Sequence, residues 1–595
     1  MKHERRSAAA EHGDTDTGHP TGTGGGEIPD RESMVFRARR ARARVAFDLG
    51  EHLVVVGCGP VAARLVDDLL PLVRKGLLHL TVLGAEPHPA YNRVLVGEYA
   101  VGRVTREALT VADVQTWREA GVTVHLGTEV VGIDRTRRLV KVRHDADAPD
   151  TDPPDADAPG TDAHGGVDHD VSWDRLVLVT GARPVRPNMR GLDPSPDGAA
   201  LPSGVVTLRD LDDAEAVRTV VGAGGHVVVL GGGVLGVEAA LAAAETAGTA
   251  TLVHTGDEPM ERMLPASTAQ LLGDRLKAAG VHCVSARAVG VSTDANGGFA
   301  ALEVASRAPL TGDLLVISCG VQARTALAEG AGLRTQHGIV VDHELQADAE
   351  GRVYAMGDCA EVLCRDPGCQ PCTARSRGAA APGQTGTIAP GWRQAEYLSA
   401  RIAAELTALQ TQNQGAVPVE PMPAHAPAVL RLKAKDIDLT VLDSGRPAPD
   451  RATRHMEFTD TALRQDLQVT LHQDGSLRYA VVLGRPRALA HLTAVLESGE
   501  PMRGDLTYLL SLDSTWAAPV QEGMGESSVV CRCAGVTRGT LESAVEDGAV
   551  TVESVTAATR ACTGCGTCRP EIEALLAQRR RDRSPGDGAR PVPVS

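Results

Sequence analysis

His52-Leu53-Val54-Val55-Val56-Gly57-Cys58-Gly59-Pro60-Val61-Ala62 joins a short apolar strand to a helix through a glycine-rich turn. Strand, turn and helix in that order aim backbone N–H groups and a helix N-terminus at one point, where a pyrophosphate can be held. The helical run continues to Leu70, and a second strand, Leu80-Thr81-Val82-Leu83-Gly84, leads to Glu86. A carboxylate at that strand end can accept hydrogen bonds from adenosine ribose hydroxyls. A glycine turn alone can serve packing; with the flanking strand, helix and acid it reads as a dinucleotide site.

The signature recurs. Val227-Val228-Val229-Leu230 is a strand, Gly231-Gly232-Gly233-Val234-Leu235-Gly236 a turn and Val237 to Leu241 a helix, preceded by a helix over Asp212 to Val221. The fingerprint glycines are Gly231, Gly233 and Gly236. The next strand, Thr251-Leu252-Val253, ends at His254 rather than at an acid, which leaves NADH versus NADPH open. Two further buried strands end in turns, at Thr180-Gly181 and at Gly320, and Gly357-Asp358 follows later. Two dinucleotide folds with a late Gly-Asp turn resemble the flavoproteins related to glutathione reductase, over about Glu51 to Ala404. The resemblance implies FAD at Gly57, Gly59, Glu86, Arg93, Thr180, Gly181 and Asp358, and NAD(P)H at Gly231, Gly233 and Gly236. Disulfide-reducing relatives carry a cysteine pair beside the flavin; here Cys58 stands alone, and no disulfide relay is expected.

Near the C-terminus, Cys531-Arg532-Cys533 is followed, after a helix-like interval, by Cys565-Gly566-Thr567-Cys568. Two tight thiolate pairs supply four soft ligands, which suit a structural zinc or an iron–sulfur cluster. The pattern resembles the bacterioferritin-associated-ferredoxin-like [2Fe-2S] module, with Cys531, Cys533, Cys565 and Cys568 as the implied ligands. A one-electron outlet for the flavin half favours the cluster over zinc, since zinc has no redox chemistry. Cys562 is a fifth thiol that could serve as a spare ligand, and is read as a partly buried bystander. Cys359, Cys364, Cys369 and Cys372 have a spacing that overlaps a plant-type cluster loop, but the Pro, Gly and Arg around them favour a flexible loop.

Local runs carry a closer resemblance: Tyr91-Asn92-Arg93-Val94-Leu95, Thr207 to Ala214, Val253-His254 with Met260-Glu261-Arg262, and Ala389 to Ala395. They are similar to the NAD(P)H-oxidising half of the assimilatory nitrite reductase large subunit and to the electron-transfer subunit of assimilatory nitrate reductase. The chain stops soon after the cysteine module without a sirohaem half, so it is not expected to reduce nitrite itself. The resemblance implies an NAD(P)H-dependent FAD oxidoreductase that reduces a separate terminal reductase. The nitrate reductase catalytic subunit is the favoured partner, with nitrite reductase as the other. Two alternatives stand beside this: a rubredoxin- or ferredoxin-reductase-like donor, and a nicotinamide-responsive flavoprotein with a structural zinc module. Glu238, just inside the second helix, is expected to pair with Arg93 and orient the nicotinamide; equally, it can be a helix N-terminal carboxylate favoured by the macrodipole.

The remaining sequence sets limits. Hydrophobic residues make up 43% of the 595 and aromatics 2%, so the cores must be built from Ala, Val and Leu. A net charge of -16 argues against nucleic-acid binding. No apolar run is long enough to span a membrane and no signal peptide is evident, so a cytoplasmic location is expected, with a homodimer allowed. The fold class is α/β, with two Rossmann-like dinucleotide-binding domains, a small α+β domain and a small helical [2Fe-2S]-binding module. Expected boundaries are a disordered leader over 1–48 and a first FAD segment over 49–205, with an acidic insertion at 144–170. An NAD(P)H domain over 206–325 and a second FAD segment over 326–408, with a cysteine-containing insertion at 364–385, follow. The interface-like domain is expected over 425–515, the cluster module over 526–580 and a tail over 581–595.

Overall fold

The computed structural model describes residues 50–144, 168–193, 200–363, 388–411, 427–432, 434–445, 454–513, 525–564, 566 and 568–583. Strand Glu51–Val56 is the centre of a five-stranded parallel sheet. Its neighbours are Arg175–Leu178 and Leu78–Leu83, with Val353–Ala355 and Thr123–His125 at the edges. Leu53, Val54 and Val55 are fully buried, as a parallel strand covered on both faces requires. Helix Pro60–Arg74 begins with Pro60, whose missing N–H costs nothing at that position. It buries Ala62, Leu65, Val66 and Leu69, the periodicity of one helical face, and packs beside helix Ile388–Thr411. Trp117, one of only four tryptophans, is wholly buried and donates its indole N–H to Asp67 at 2.7 Å.

A second five-stranded parallel sheet repeats the plan, in the order Val281–Ser285, Ala250–His254, Val227–Leu230, Leu314–Ile317, Val205–Val206. Helix Val234–Ala247 follows its glycine turn and ends on Gly248 in the left-handed region. The predicted acidic insertion is shorter than the composition suggested. Strand Leu139–His144 reaches its first residue, and strand Asp168–Ser172 pairs antiparallel with it. Residues 145–167 lie outside the described residues.

The interface-like domain is a five-stranded antiparallel sheet backed by helix Pro486–Ser498. The predicted strands around Asp474-Gly475 are Gln465–Leu471 and Leu477–Leu483. Edge strand Arg454–Asp460 went unseen in the sequence, because it is mostly exposed and presents only Met456 and Phe458 to the core. Tyr479 donates to the Met263 carbonyl at 2.7 Å and Thr268 donates to Asp466; these bonds tie this sheet to the second Rossmann domain. The cysteine module is a short hairpin, Val529–Cys531 with Val536–Thr537, and helices Arg538–Glu546, Val552–Thr559 and Arg569–Arg583. They enclose a small core of Leu541, Val545, Val555 and Ile572. No helix among the described residues is long and apolar enough to cross a membrane.

Candidate functional site

The first glycine turn opens onto a cavity of about 1550 Å³, larger than the roughly 300–1,000 Å³ of an ordinary small-molecule site and roomy enough for a dinucleotide. Gly57, Gly59, Glu86, Arg93, Thr180, Gly181 and Asp358, all predicted from sequence, line it. The turn depends on Gly57, which has φ +112°; a Cβ there would meet the Val179 carbonyl oxygen at 2.3 Å. At Gly59 nothing lies within 4 Å of where a Cβ would stand, so the cradle is open beside the N-terminus of helix Pro60–Arg74.

Glu86 is not isolated. Its carboxylate forms an ion pair with Arg93 and accepts from the Tyr91 hydroxyl at 2.8 Å. Burial alone would raise the Glu86 carboxyl, but Arg93 and the Tyr91 hydroxyl outweigh it and hold the group below the ordinary carboxylate range. Arg93 also donates to the Tyr91 hydroxyl at 2.9 Å and to the Arg209 carbonyl at 3.3 Å. Arg93, the arginine expected to meet Glu238, is engaged by Glu86 and Tyr91. Asp358 pairs with Arg209 at 3.3 Å, and the Gly357 N–H beside it donates to the Gln394 side chain at 2.7 Å.

Sequence reading missed Arg183, Arg209 and Arg324, which line the same cavity. Burial lowers the Arg324 guanidinium from its ordinary value, and the charges of Arg93, Arg183 and Arg209 lower it further, against the opposing pull of Glu86. This surplus of positive charge at the mouth of a helix fits a pyrophosphate dianion. No spacing rule marks these arginines, because they arrive from separate segments, strand Ala182–Pro184, the loop before helix Leu211–Gly222 and the turn after strand Val321–Ala323, that the fold brings together. Cys58 is the single thiol lining the cavity among the described residues, and burial pushes it up to about 12. A protonated lone thiol is a poor nucleophile.

The second turn has the same backbone. Gly231 has φ +127°, and a Cβ there would strike the Ser318 carbonyl oxygen at 2.1 Å; one on Gly236 would strike the Gly231 carbonyl oxygen at 1.9 Å. Gly233 opens onto free space. Leu235, in the first turn of the helix, is 55% exposed and lines the cavity of the first domain. The two sites therefore face one another. Glu238, half-buried, lies one turn further along that helix. His254, at the strand end, is buried, and burial lowers its pKa against the opposing pull of Gly256 and Glu261. Asp257, Glu258 and Glu261 follow, and burial with the nearby Asp274, Asp257 and Glu261 pushes the Glu258 carboxyl up.

In the cysteine module, Cys562 Sγ lies 3.3 Å from Cys568 Sγ, and Cys568 in turn hydrogen-bonds Cys531. That bond and burial push the Cys531 thiol up. At Cys568 the bond from Cys531 favours the thiolate, but Cys562 and burial outweigh it and push the thiol up to about 12. Thiols crowded together hold their protons until a metal centre replaces them, so this donor set fits a thiolate-bound cluster. Cys533 lies against Gly564, where a Cβ would be 3.1 Å from its Sγ. Cys565 lies outside the described residues, and among those residues no three His, Cys, Asp or Glu side chains form a closed metal site; the thiols make a chain. Cys562, half-buried, adjoins the predicted ligand Cys568, held in the left-handed region at φ 68°. Cys359 is also resolved. It is fully buried and donates to the Leu178 and Met356 carbonyls at 3.3 and 3.2 Å, a packing role; Cys364, Cys369 and Cys372 lie outside the described residues.

Comparison with known proteins agrees with this geometry. Residues 51–382 match the family model described as pyridine nucleotide-disulphide oxidoreductase, and 529–578 match the BFD-like [2Fe-2S] binding domain. The chain is 25% identical over 530 residues to the assimilatory nitrate reductase electron transfer subunit of Bacillus subtilis (strain 168), covering 88% of this chain and 59% of that protein. It is 24% identical over 541 residues to the nitrite reductase [NAD(P)H] of the same organism, covering 88% of this chain and 57% of that one. The chain thus spans somewhat over half the length of these two relatives. Among solved structures, the covalent putidaredoxin reductase–putidaredoxin complex superposes with a TM-score of 0.59 at 20% identity, covering 78% of this chain and 99% of that one.

Proposed function

The chain belongs to the pyridine nucleotide-disulphide oxidoreductase family and carries a [2Fe-2S]-binding domain, and from that premise we propose that it oxidises NAD(P)H and delivers the electrons to a separate terminal reductase. The acceptor we favour is the catalytic subunit of an assimilatory nitrate reductase. One observation carries the reading: among the described residues the cavity holds no thiol pair to take the electrons, only the buried Cys58, while a cluster-binding domain is folded onto the same body. Bound FAD can take a hydride and release single electrons, a conversion that belongs to the cofactor, while the protein sets position and potential.

The residues divide the work. Gly57, Gly59, Thr180 and Gly181 bring backbone close to the pyrophosphate, and Arg183, Arg209 and Arg324 neutralise it. Glu86, steadied by Arg93 and Tyr91, keeps lone pairs for the adenosine ribose. Asp358, held by Arg209, faces the ribityl end. Gly231, Gly233 and Gly236 seat the nicotinamide nucleotide, and Glu238 orients its ring. Cys531, Cys533, Cys565 and Cys568 hold the cluster. NAD(P)H as donor fits a cytoplasmic protein.

Partner choice is tested by mixing the protein, NADH and nitrate with a purified molybdenum-dependent nitrate reductase catalytic subunit under argon. Nitrite formation that requires both proteins is the expected result. Electron flow only to a nitrite reductase, or only to rubredoxin or a ferredoxin, would reassign the acceptor.

A further inference from the structure

The segment that carries the cysteine ligands does not hang free of the flavin domain. Arg560, in the left-handed position that ends helix Val552–Thr559, reaches Asp68 at 3.0 Å and Asp67 at 3.7 Å on helix Pro60–Arg74. Asn92 is 1% exposed, and its amide N–H groups donate to the Thr563 carbonyl at 2.6 Å and to the Gly564 carbonyl. Its own oxygen accepts from the Val94 N–H at 3.0 Å, so all three ends of this buried amide are used. Trp392 is buried beside the same loop, where a Cβ on Gly564 would lie 3.2 Å from its ring. The indole N–H donates to the Pro60 carbonyl at 3.2 Å.

The Asn92 and Trp392 contacts are each one residue or less from the cavity wall. Pro60, Arg93 and Gly391 line the cavity; Asn92 precedes Arg93, Trp392 follows Gly391, and Trp392 bonds Pro60 directly. The same short segments therefore face the flavin site on one side and the cysteine segment on the other. We infer that the cysteine module is docked in cis on the flavin domain throughout turnover, with Asn92 and Trp392 as positioning residues at the junction between the cavity and the thiols. This rests on the electron-transfer reading above and deepens it: the module is a fixed exit, not a carrier swinging on a tether. Fixed geometry matters because a small displacement of reacting groups costs rate steeply.

The test uses the full-length holoprotein. Hydrogen exchange of the peptide spanning Arg560 to Gly564 should be strongly protected in the wild type, and at least tenfold faster in Asn92→Ala and in Arg560→Glu, which sets like charge against Asp67 and Asp68. In anaerobic stopped flow, Arg560→Glu should keep the rate of flavin bleaching by NADH within twofold while iron–sulfur bleaching slows at least tenfold. In Asn92→Ala the ratio of the second rate to the first should fall by a similar factor, and Trp392→Phe, which keeps the aromatic ring, should lose less than Trp392→Leu. Faster exchange with unchanged iron–sulfur bleaching would overturn the inference, as would an unprotected peptide in the wild type. A wild-type protein with no iron–sulfur absorbance would instead defeat the functional reading, and exchange would still report whether the module is docked.

Discussion

The two glycine turns share one backbone and differ in what surrounds them. Gly57 and Gly231 stand at φ +112° and +127°, each packed against a carbonyl oxygen. Around the first, the strand-end acid Glu86 is tied to Arg93 and Tyr91, and arginines from several separate segments line the site. Around the second, the strand ends at a buried His254, acidic residues follow, and Leu235 projects exposed toward the first site. A site closed by pre-formed ion pairs suits a cofactor that stays; an open turn with an apolar finger suits one that comes and goes. The motif says where a dinucleotide binds, and its neighbours say for how long.

Substituting the paired glycines should separate the two sites most sharply. Gly57→Ala drives a methyl into the Val179 carbonyl and should yield protein purified without flavin, read from the absorbance ratio at 450 and 280 nm. Gly231→Ala should stay yellow yet lose flavin reduction by NAD(P)H at least 100-fold in stopped flow, about 3 kcal/mol of binding or barrier. Flavin loss in both variants would erase the distinction.

Removing the exit leaves both turns intact. Cys568→Ser should preserve flavin reduction within twofold but abolish iron–sulfur absorbance and cut transfer to a protein acceptor more than 100-fold. Measurement of bound iron alongside turnover checks this.

The second site should also discriminate between nicotinamides. A 2′-phosphate brings roughly 1.5 to 2 negative charges to the strand end followed by Asp257, Glu258 and Glu261. We expect kcat/KM at least tenfold higher for NADH than for NADPH, with the ratio narrowing in Asp257→Ser. Equal values in the wild type would remove the acidic segment from the ribose site.

The smallest effect concerns the clamp on the first site. Glu86 has its folded pKa below the ordinary 4.5, so its contribution to stability is complete above about pH 4.5 and is lost as pH falls through the folded value. In Arg93→Met burial is opposed only by the Tyr91 hydroxyl and the Arg324 charge, and that pKa rises. The Glu86 and Arg93 side chains are 43% and 25% exposed, so the loss should be about 1 kcal/mol. Urea titrations should show that deficit at pH 7 and its disappearance toward pH 4.

Much of this was legible in the chain. Both sheets, both turns, the Asp474-Gly475 hairpin and the cysteine module follow from strand-length apolar runs and glycine placement, which are local signals. The cavity arginines were not legible, because Arg183, Arg209 and Arg324 meet only once distant segments of the chain assemble. Nor was the fate of Glu86, whose partners Tyr91 and Arg93 lie nearby in sequence but whose pairing needs the loop's fold. Cys359 looked like part of a metal spacing and is a packing thiol, since spacing cannot show which way a side chain is buried. Asn92 stood within a recognised run, yet its bond partners are in the cysteine module, beyond the reach of any local pattern.

The central claim is that electrons from NAD(P)H leave this protein through the cysteine module. Anaerobic titration of the isolated protein with NADH, followed by visible absorbance and by iron and zinc analysis, tests it most directly. The account predicts a brown protein with about two irons per flavin, in which flavin and iron–sulfur absorbance both bleach. A yellow protein containing zinc, in which only the flavin bleaches, would contradict it.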